Sequence, residues 1–151
     1  MKPKPTEGAP GSHAKVRASR WAMAGLLVMT GMPAVAQAQE LTVATAPPVV
    51  IRTVPEAGQA EVDPALKEVR VTFSKPMRDG SWSWAQTSPS AFPKLAGQPS
   101  YQADQRTAVL PVALEPGHTY AIWVNSPSHE NFQDSDGRKA VPYFLVFSTR
   151  K

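Results

Sequence analysis

The chain has 151 residues, no cysteine and a formal net charge of +4. The absence of cysteine excludes a disulfide framework, a zinc cluster that needs cysteine and the lipid anchor of a lipoprotein. From Gln39 onward, 5 Lys and 6 Arg balance 5 Asp and 6 Glu, so this part nets zero and lacks the basic surface of a nucleic-acid-binding protein.

Residues 1–38 have the features of a cleavable secretory signal peptide. Basic residues precede an apolar segment, residues 21–32, and Pro33 ends it. Small residues then allow cleavage after Ala36 or after Ala38, and the sequence does not choose between the two. The apolar run is about a dozen residues, whereas a membrane-spanning helix needs about 20. We therefore expect a Sec-type leader, a periplasmic or secreted protein, and no membrane insertion after cleavage.

The rest of the chain is predicted to be an all-β domain, residues 49–151, behind an extended lead-in, residues 39–48. Apolar and polar residues alternate in short runs that Pro, Gly and Asp-Gly turn signals separate, which indicates about seven strands and no helix. The expected strands are residues 49–54, 67–74, 81–86, a short edge strand within 87–100, and residues 106–114, 120–124 and 142–149. Pro111 favours an edge or bulged position for its strand, because proline has no N–H for the ladder. This pattern predicts a Greek-key β-sandwich.

The turn between the fifth and sixth of these segments indicates how the chain crosses between sheets. Pro116-Gly117 is a strong turn signal, and Tyr120 follows it at the spacing of a tyrosine corner, whose hydroxyl bonds to backbone upstream. An ordinary hairpin with a strand-forming tyrosine is the alternative.

Three further residues are expected to serve the fold. Phe73 is the last inward residue of segment 67–74, Pro76 ends that strand, and Met77 is expected to fill the end of the core.

Together these elements resemble the bacterial Ig-like domain of the surface-layer protein type. The resemblance covers nearly all of the predicted domain. Its elements are Pro55-x-x-Gly58-x-x-x-Val62, Val69-x-Val71-x-Phe73-Ser74-x-Pro76-Met77, Leu114-x-Pro116-Gly117-x-x-Tyr120, and Asp136-Gly137 before Tyr143-x-Leu145-x-Phe147-Ser148-Thr149. It implies a seven-stranded sandwich that acts as a spacer or adhesive module in exported proteins, with no catalytic residues and no cofactor.

The opening of the domain is also similar to the periplasmic copper-carrier sandwiches. That family relies on a histidine at the mature amino terminus, and this chain has only His118 and His129 after the leader. A copper-carrier role is therefore a remote alternative.

Two polar clusters contain residue types that are found in metal sites and in hydrolases. Asp134 and Asp136 are weak calcium candidates, but the EF-hand spacing that would place Gly137 at position 6 fails at both ends. Ser128, His129 and Glu130 supply the residue types of a hydrolase, yet neighbours in sequence do not make a triad. We expect no catalytic and no cofactor-binding residue.

Aromatic residues give the sharper functional hypothesis. Trp123 lies on the face opposite Tyr120, and Phe144 and Val146 lie on the corresponding face of the last strand. With Trp82 or Trp84 nearby, this interaction face predicts contact with an envelope or surface protein, or alternatively with a carbohydrate such as peptidoglycan. The other alternative is that the segment 87–100 folds over it and makes a minor core.

Overall fold

The computed structural model describes residues 40–151, so the predicted signal peptide lies outside the described residues. The described chain forms two antiparallel sheets, and the prediction of an all-β sandwich is confirmed. There are eight strands in place of about seven, because the segment expected to be mostly loop contributes two very short ones. The strands are β1 (Val50–Val54), β2 (Glu68–Phe73), β3 (Trp84–Gln86), β4 (Lys94–Leu95), β5 (Ser100–Tyr101), β6 (Thr107–Ala113), β7 (Thr119–Val124) and β8 (Tyr143–Ser148).

Strands far apart in sequence are neighbours in both sheets. The larger sheet has the order β1-β2-β6-β4, with β5 also paired to β6, and the smaller sheet has the order β3-β7-β8. The third strand is shorter than expected, since residues 81–83 lie outside the ladder. After β3 the chain leaves the smaller sheet, and it enters the larger sheet at β4.

Of the two positions expected for Pro111, an edge or a bulge, the edge is wrong, because β6 runs between β2 and the β4/β5 pair. The pairing beside Pro111 is irregular, since its register shifts between Leu95–Val112 and Ser100–Val109. The amide of Val112 donates to Lys67 beside β2, so the neighbouring residue 111 faces the other way. On that side the carbonyl of Pro111 still accepts a hydrogen bond from the amide of Ala96 at 3.0 Å, and the regular pairing breaks between β4 and β5. Gly97 lies in this gap, where an added Cβ would be 3.4 Å from the proline ring.

The core lies between the sheets and follows the alternation in sequence. Val69, Val71 and Phe73 of β2 are buried, as are Leu110 and Val112 of β6. From the smaller sheet, the inward residues are Tyr120, Ile122 and Val124 of β7 and Leu145 and Phe147 of β8. Burying one such side chain contributes about 1.5–3 kcal/mol. Met77 is buried against the same core.

Tyr120 makes the hydrogen bond of a tyrosine corner. Its hydroxyl accepts a hydrogen bond from the backbone N–H of Glu115 at 2.7 Å, and the ring is buried. Gly117 turns the chain with φ of 65°, a conformation that most other residues adopt only with strain. The hydroxyl of Thr149 donates to the carbonyl of Glu115 at 2.6 Å, which ties the corner to the end of β8.

The lead-in differs from the extended segment that the sequence predicts. The amide of Ala46 donates to the carbonyl of Thr42 at 2.8 Å, which closes a turn. The ammonium group of Lys75 donates to the carbonyls of Ala44 and Ala46 at 3.0 and 2.5 Å. A side chain beyond β2 therefore holds this turn against the domain.

Two Tyr→Phe variants should separate a bonded from an unbonded hydroxyl. Tyr120→Phe should lower the free energy of unfolding by about 1 kcal/mol, because the Glu115 amide loses its partner. Tyr101→Phe should leave it unchanged or raise it, since the buried Tyr101 hydroxyl has no hydrogen-bond partner among residues 40–151. Urea unfolding of both variants checks this, and equal losses would contradict it.

Candidate functional site

The outer face of the smaller sheet carries an aromatic pair. Trp123 of β7 lies directly opposite Phe144 of β8, with ring centroids 4.6 Å apart and ring planes inclined by 37°. The next outward pair is Ala121 with Val146, and all four side chains point away from the core because their neighbours along each strand are buried. Phe144 is 41% exposed. We call Trp123, Phe144 and Val146 the aromatic face.

Trp84 does not lie on this face, which corrects the expectation that grouped it with Trp123. Trp84 pairs with Val124, whereas Ala85 pairs with Trp123, and paired residues share one side of a sheet. The indole of Trp84 therefore points inward and meets the ring of Phe132 edge-on at 5.2 Å.

Trp82 is also directed away from the aromatic face. It precedes β3 and packs against the part of the core that contains Phe73 and Met77, with its ring 6.3 Å from that of Tyr101. Both tryptophans are thus part of the packing between the sheets, as expected for a tryptophan near the third strand of an Ig-like sandwich.

A cleft of about 850 Å³ opens around the short strand β3. Trp82 and Trp84 line its inner part, and Trp123 borders it from the outer face. Further apolar lining comes from Phe92 and Leu95, and polar groups come from Ser128, His129 and Asn131. The indole N–H of Trp84 is buried and has no hydrogen-bond partner among residues 40–151.

The segment 87–100 continues beside β7 on the side where β3 pairs, and then crosses to the larger sheet. The amide of Ala121 donates to the carbonyl of Ala91 at 2.8 Å, in line with the β3 ladder. Phe92 packs against the core beneath this edge. The segment closes the sandwich beside β3, and Phe144, which lies on the opposite strand of the sheet, stays exposed.

Ser128 and His129 lie close together without the third member that hydrolysis would need. The hydroxyl of Ser128 is 3.0 Å from Nδ1 of His129. Glu130 instead forms an ion pair with Lys139. These contacts among the described residues are those of a polar turn, and no carboxylate orients the imidazole.

Comparison with known proteins identifies the family. The profile of the bacterial Ig-like domain matches residues 44–149. The chain belongs to this family. A search of curated proteins found no match.

Solved structures of surface-layer proteins are similar to this Ig-like domain. Domains 1–6 of surface layer protein SbsC and the S-layer protein rSbsC(31-844) each show 19% sequence identity and a TM-score of 0.41. Each match covers 72% of this chain and 14% of the other. Within residues 40–151, no helix is long and apolar enough to cross a membrane.

The aspartates proposed as calcium ligands have a different role in the Ig-like domain. The carboxylate of buried Asp134 accepts hydrogen bonds from the backbone amides of Asp136 and Arg138, at 3.1 and 2.8 Å. It also faces the ammonium group of Lys75 at 3.3 Å and the guanidinium of Arg138 at 3.4 Å. Among residues 40–151 no three metal-binding side chains cluster. Asp134 thus forms ion pairs with side chains of the domain itself, and Asp136 forms an ion pair with Arg138.

The surroundings of Asp134 set its ionisation. Burial alone would raise the pKa of the carboxyl, but the Arg138 amide and the side chains of Lys75 and Arg138 together lower this pKa below its ordinary value of 3.8. A carboxyl with a lower pKa in the folded state stabilises that state above its unfolded-state pKa. This contribution is lost as the pH falls through the folded-state pKa.

Asp134→Asn should therefore destabilise the domain at neutral pH and less so in acid. At pH 7 we expect a loss of about 3 kcal/mol in the free energy of unfolding, because the mostly buried Lys75 loses its counterion. The difference from wild type should begin to shrink as the pH falls below the ordinary pKa of 3.8, and it should disappear below the lower folded-state pKa, where the wild-type carboxyl is also neutral. Chemical unfolding across this pH range measures it. Asp136→Asn is the control at an exposed position, and a pH-independent Asp134→Asn effect would contradict the assignment.

Proposed function

We propose that this Ig-like domain is a non-enzymatic module that binds another protein through its aromatic face. The exposed ring of Phe144, packed against the partly exposed ring of Trp123, is the observation that carries the proposal. Such a pair offers a large, rigid apolar surface at small entropic cost, and aromatic residues are enriched among the residues that dominate binding energy. The predicted leader supports a place in the periplasm or at the cell surface.

The composition of the face also indicates the character of the contact. Trp123, Phe144, Val146 and Ala121 carry no charge, so binding would depend on apolar burial and shape. Salt screens charge interactions but not apolar burial. A contact that withstands high salt would therefore fit this face better than one that salt dissolves.

A photo-reactive phenylalanine analogue at position 144 tests the proposal. We expect it to crosslink a discrete envelope protein in living cells, because the side chain projects from the domain. Trp123→Ala in the same chain should reduce the crosslink several-fold, since the analogue loses the ring that packs against it.

The same analogue at Leu95 is the matched control. Leu95 is 50% exposed but lies in β4 of the other sheet. The proposal fails if position 144 gives no crosslink, or if position 95 gives the same product. Equal thermal unfolding of the variants would show that the comparison reports on contact rather than on folding.

Glycan binding is the second candidate, and the cleft around β3 favours it. Sugar rings stack on tryptophan, and Trp82, Trp84 and Trp123 all line this cleft. Titration with muropeptides would then change the tryptophan fluorescence. Trp82→Phe should weaken that change at least several-fold while Phe144→Ala leaves it intact. An unchanged spectrum at millimolar muropeptide would reject this candidate.

A further inference from the structure

The exposed edge of β8 is covered over only part of its length. The segment 58–62 runs beside the end of β8, where Gly58 donates to the carbonyl of Val146 at 2.7 Å and Ser148 donates to Gln59 at 2.9 Å. Val62 then donates to the carbonyl of Ser148 at 3.0 Å. Before β8 the amide of Val141 donates to the carbonyl of Pro48 at 2.9 Å. Between these two covered stretches, residues 142–146 form an open sheet edge within the described residues.

The hydrogen bonds already present show which backbone groups point toward this open edge. Residues 146 and 148 face away from β7, and alternate residues of a strand face the same way, so Phe144 does too. The N–H and C=O of Phe144 and the N–H of Val146 have no partner among residues 40–151. Pro142 adds its C=O, because a trans peptide directs it opposite to the Tyr143 N–H, which faces β7.

These four groups are complementary to themselves under a two-fold rotation. Two antiparallel β8 strands centred on Phe144 would exchange both N–H···O=C bonds between the two Phe144 residues. On either side, the N–H of Val146 would meet the C=O of Pro142 from the other copy. The pattern asks for no further group. Pro142 has no N–H to place, and the C=O of Val146 already accepts a hydrogen bond from Gly58.

The two neighbouring two-fold alignments lack this match. Centring the pair on Leu145 would set Phe144 opposite Val146 and would need the Val146 C=O as an acceptor, but that oxygen is used. Centring it on Tyr143 would set Phe144 opposite Pro142, which has no N–H to donate to the Phe144 C=O. Of these three alignments, only the one centred on Phe144 satisfies all four open groups.

The side chains agree with the backbone. The two Phe144 rings would be neighbours on the outer face, each backed by its own Trp123, and would make a continuous aromatic cluster across the two-fold axis. Residues 143–147 contain no charged side chain, so no like charges would face each other. Charged residues, which proteins commonly place on exposed edges to prevent such pairing, are missing here.

We propose that the partner at this edge is a second copy of the same chain, which pairs through β8 and joins the two smaller sheets into one of six strands. The inference rests on the proposed function, since both use Phe144. It identifies a second copy of this chain as one protein that binds the aromatic face. Four backbone bonds and one aromatic cluster make a contact below the usual size of about 800 Å² per partner, so the dimer should be weak, with a Kd in the micromolar range or above.

Sedimentation of the purified exported protein over a wide concentration range measures the dimer directly. We expect a monomer–dimer equilibrium that Val146→Pro weakens at least tenfold, because this change removes an N–H that faces the open edge. Leu95→Ala, at an exposed position on the other sheet, is the surface control and should leave the equilibrium unchanged. A monomer at all concentrations, or a dimer that the folded Val146→Pro variant retains, would overturn the inference.

A cysteine variant keeps the test decisive if Val146→Pro does not fold. The chain has no cysteine of its own, so Phe144→Cys can form a disulfide only between molecules. In the proposed pairing the two Cα atoms would be about 5.5 Å apart, within the range that a disulfide spans. Oxidation of Phe144→Cys should be at least tenfold faster than that of Leu95→Cys, and equal rates would overturn the inference.

The outcomes also separate this inference from the proposed function. A chain that stays monomeric while position 144 crosslinks a different envelope protein would refute the dimer and leave the aromatic face as the binding site. A chain that shows neither dimer nor crosslink would refute both.

Discussion

The buried side chain of Asn125 holds the long polar loop to the sandwich, and much of the rest depends on it. Asn125 ends β7 with a φ of 56° and is fully buried. Its amide nitrogen donates to the carbonyls of Phe132 and Ala140 at 3.0 and 2.9 Å, and its oxygen accepts from the Phe132 amide at 2.9 Å. A buried amide with three partners in place strengthens a fold, whereas each lost partner would leave a desolvated polar group.

The consequence of this clamp is the position of Phe132. The ring is fully buried, 5.2 Å from that of Phe73 and 5.2 Å from the indole of Trp84. A loop residue therefore completes the second half of the core and gives Trp84 an inward neighbour. This packing explains why Trp82 and Trp84 belong to the interior and why the aromatic face is limited to the Trp123–Phe144 pair and its flank.

Local pattern predicted the strands, and non-local contacts decided what it could not. Alternation placed Val69, Val71 and Phe73 in the core, and the Pro116-Gly117 turn located the corner of Tyr120, because each signal lies within a few residues. Phe132 was missed because it is one apolar residue in a polar segment with no period. Its only hint is an asparagine at the end of a strand, which becomes informative once the loop is seen to return to it.

The site was predictable to the same extent. Alternation placed Trp123 and Phe144 on the outer faces of their two strands, and the structure adds the register that sets them opposite each other. Trp84 was assigned to the wrong side because a three-residue strand does not fix its own register, and the partner strand has to be known. Pro111 left an edge and a bulged position open for a related reason, since the irregular pairing between β4 and β5 depends on the position of two other segments.

The extent of the open edge follows from how the chain passes from one sheet to the other. β1 pairs with β2 in the larger sheet, and after Pro55 the chain crosses to lie beside β8 in the smaller one. The residues used in β1 cannot cover β8, so cover begins only at Gly58 and leaves Phe144 exposed. The division of this one segment between two sheets therefore fixes both the closure of the sandwich and the place where another strand can join it.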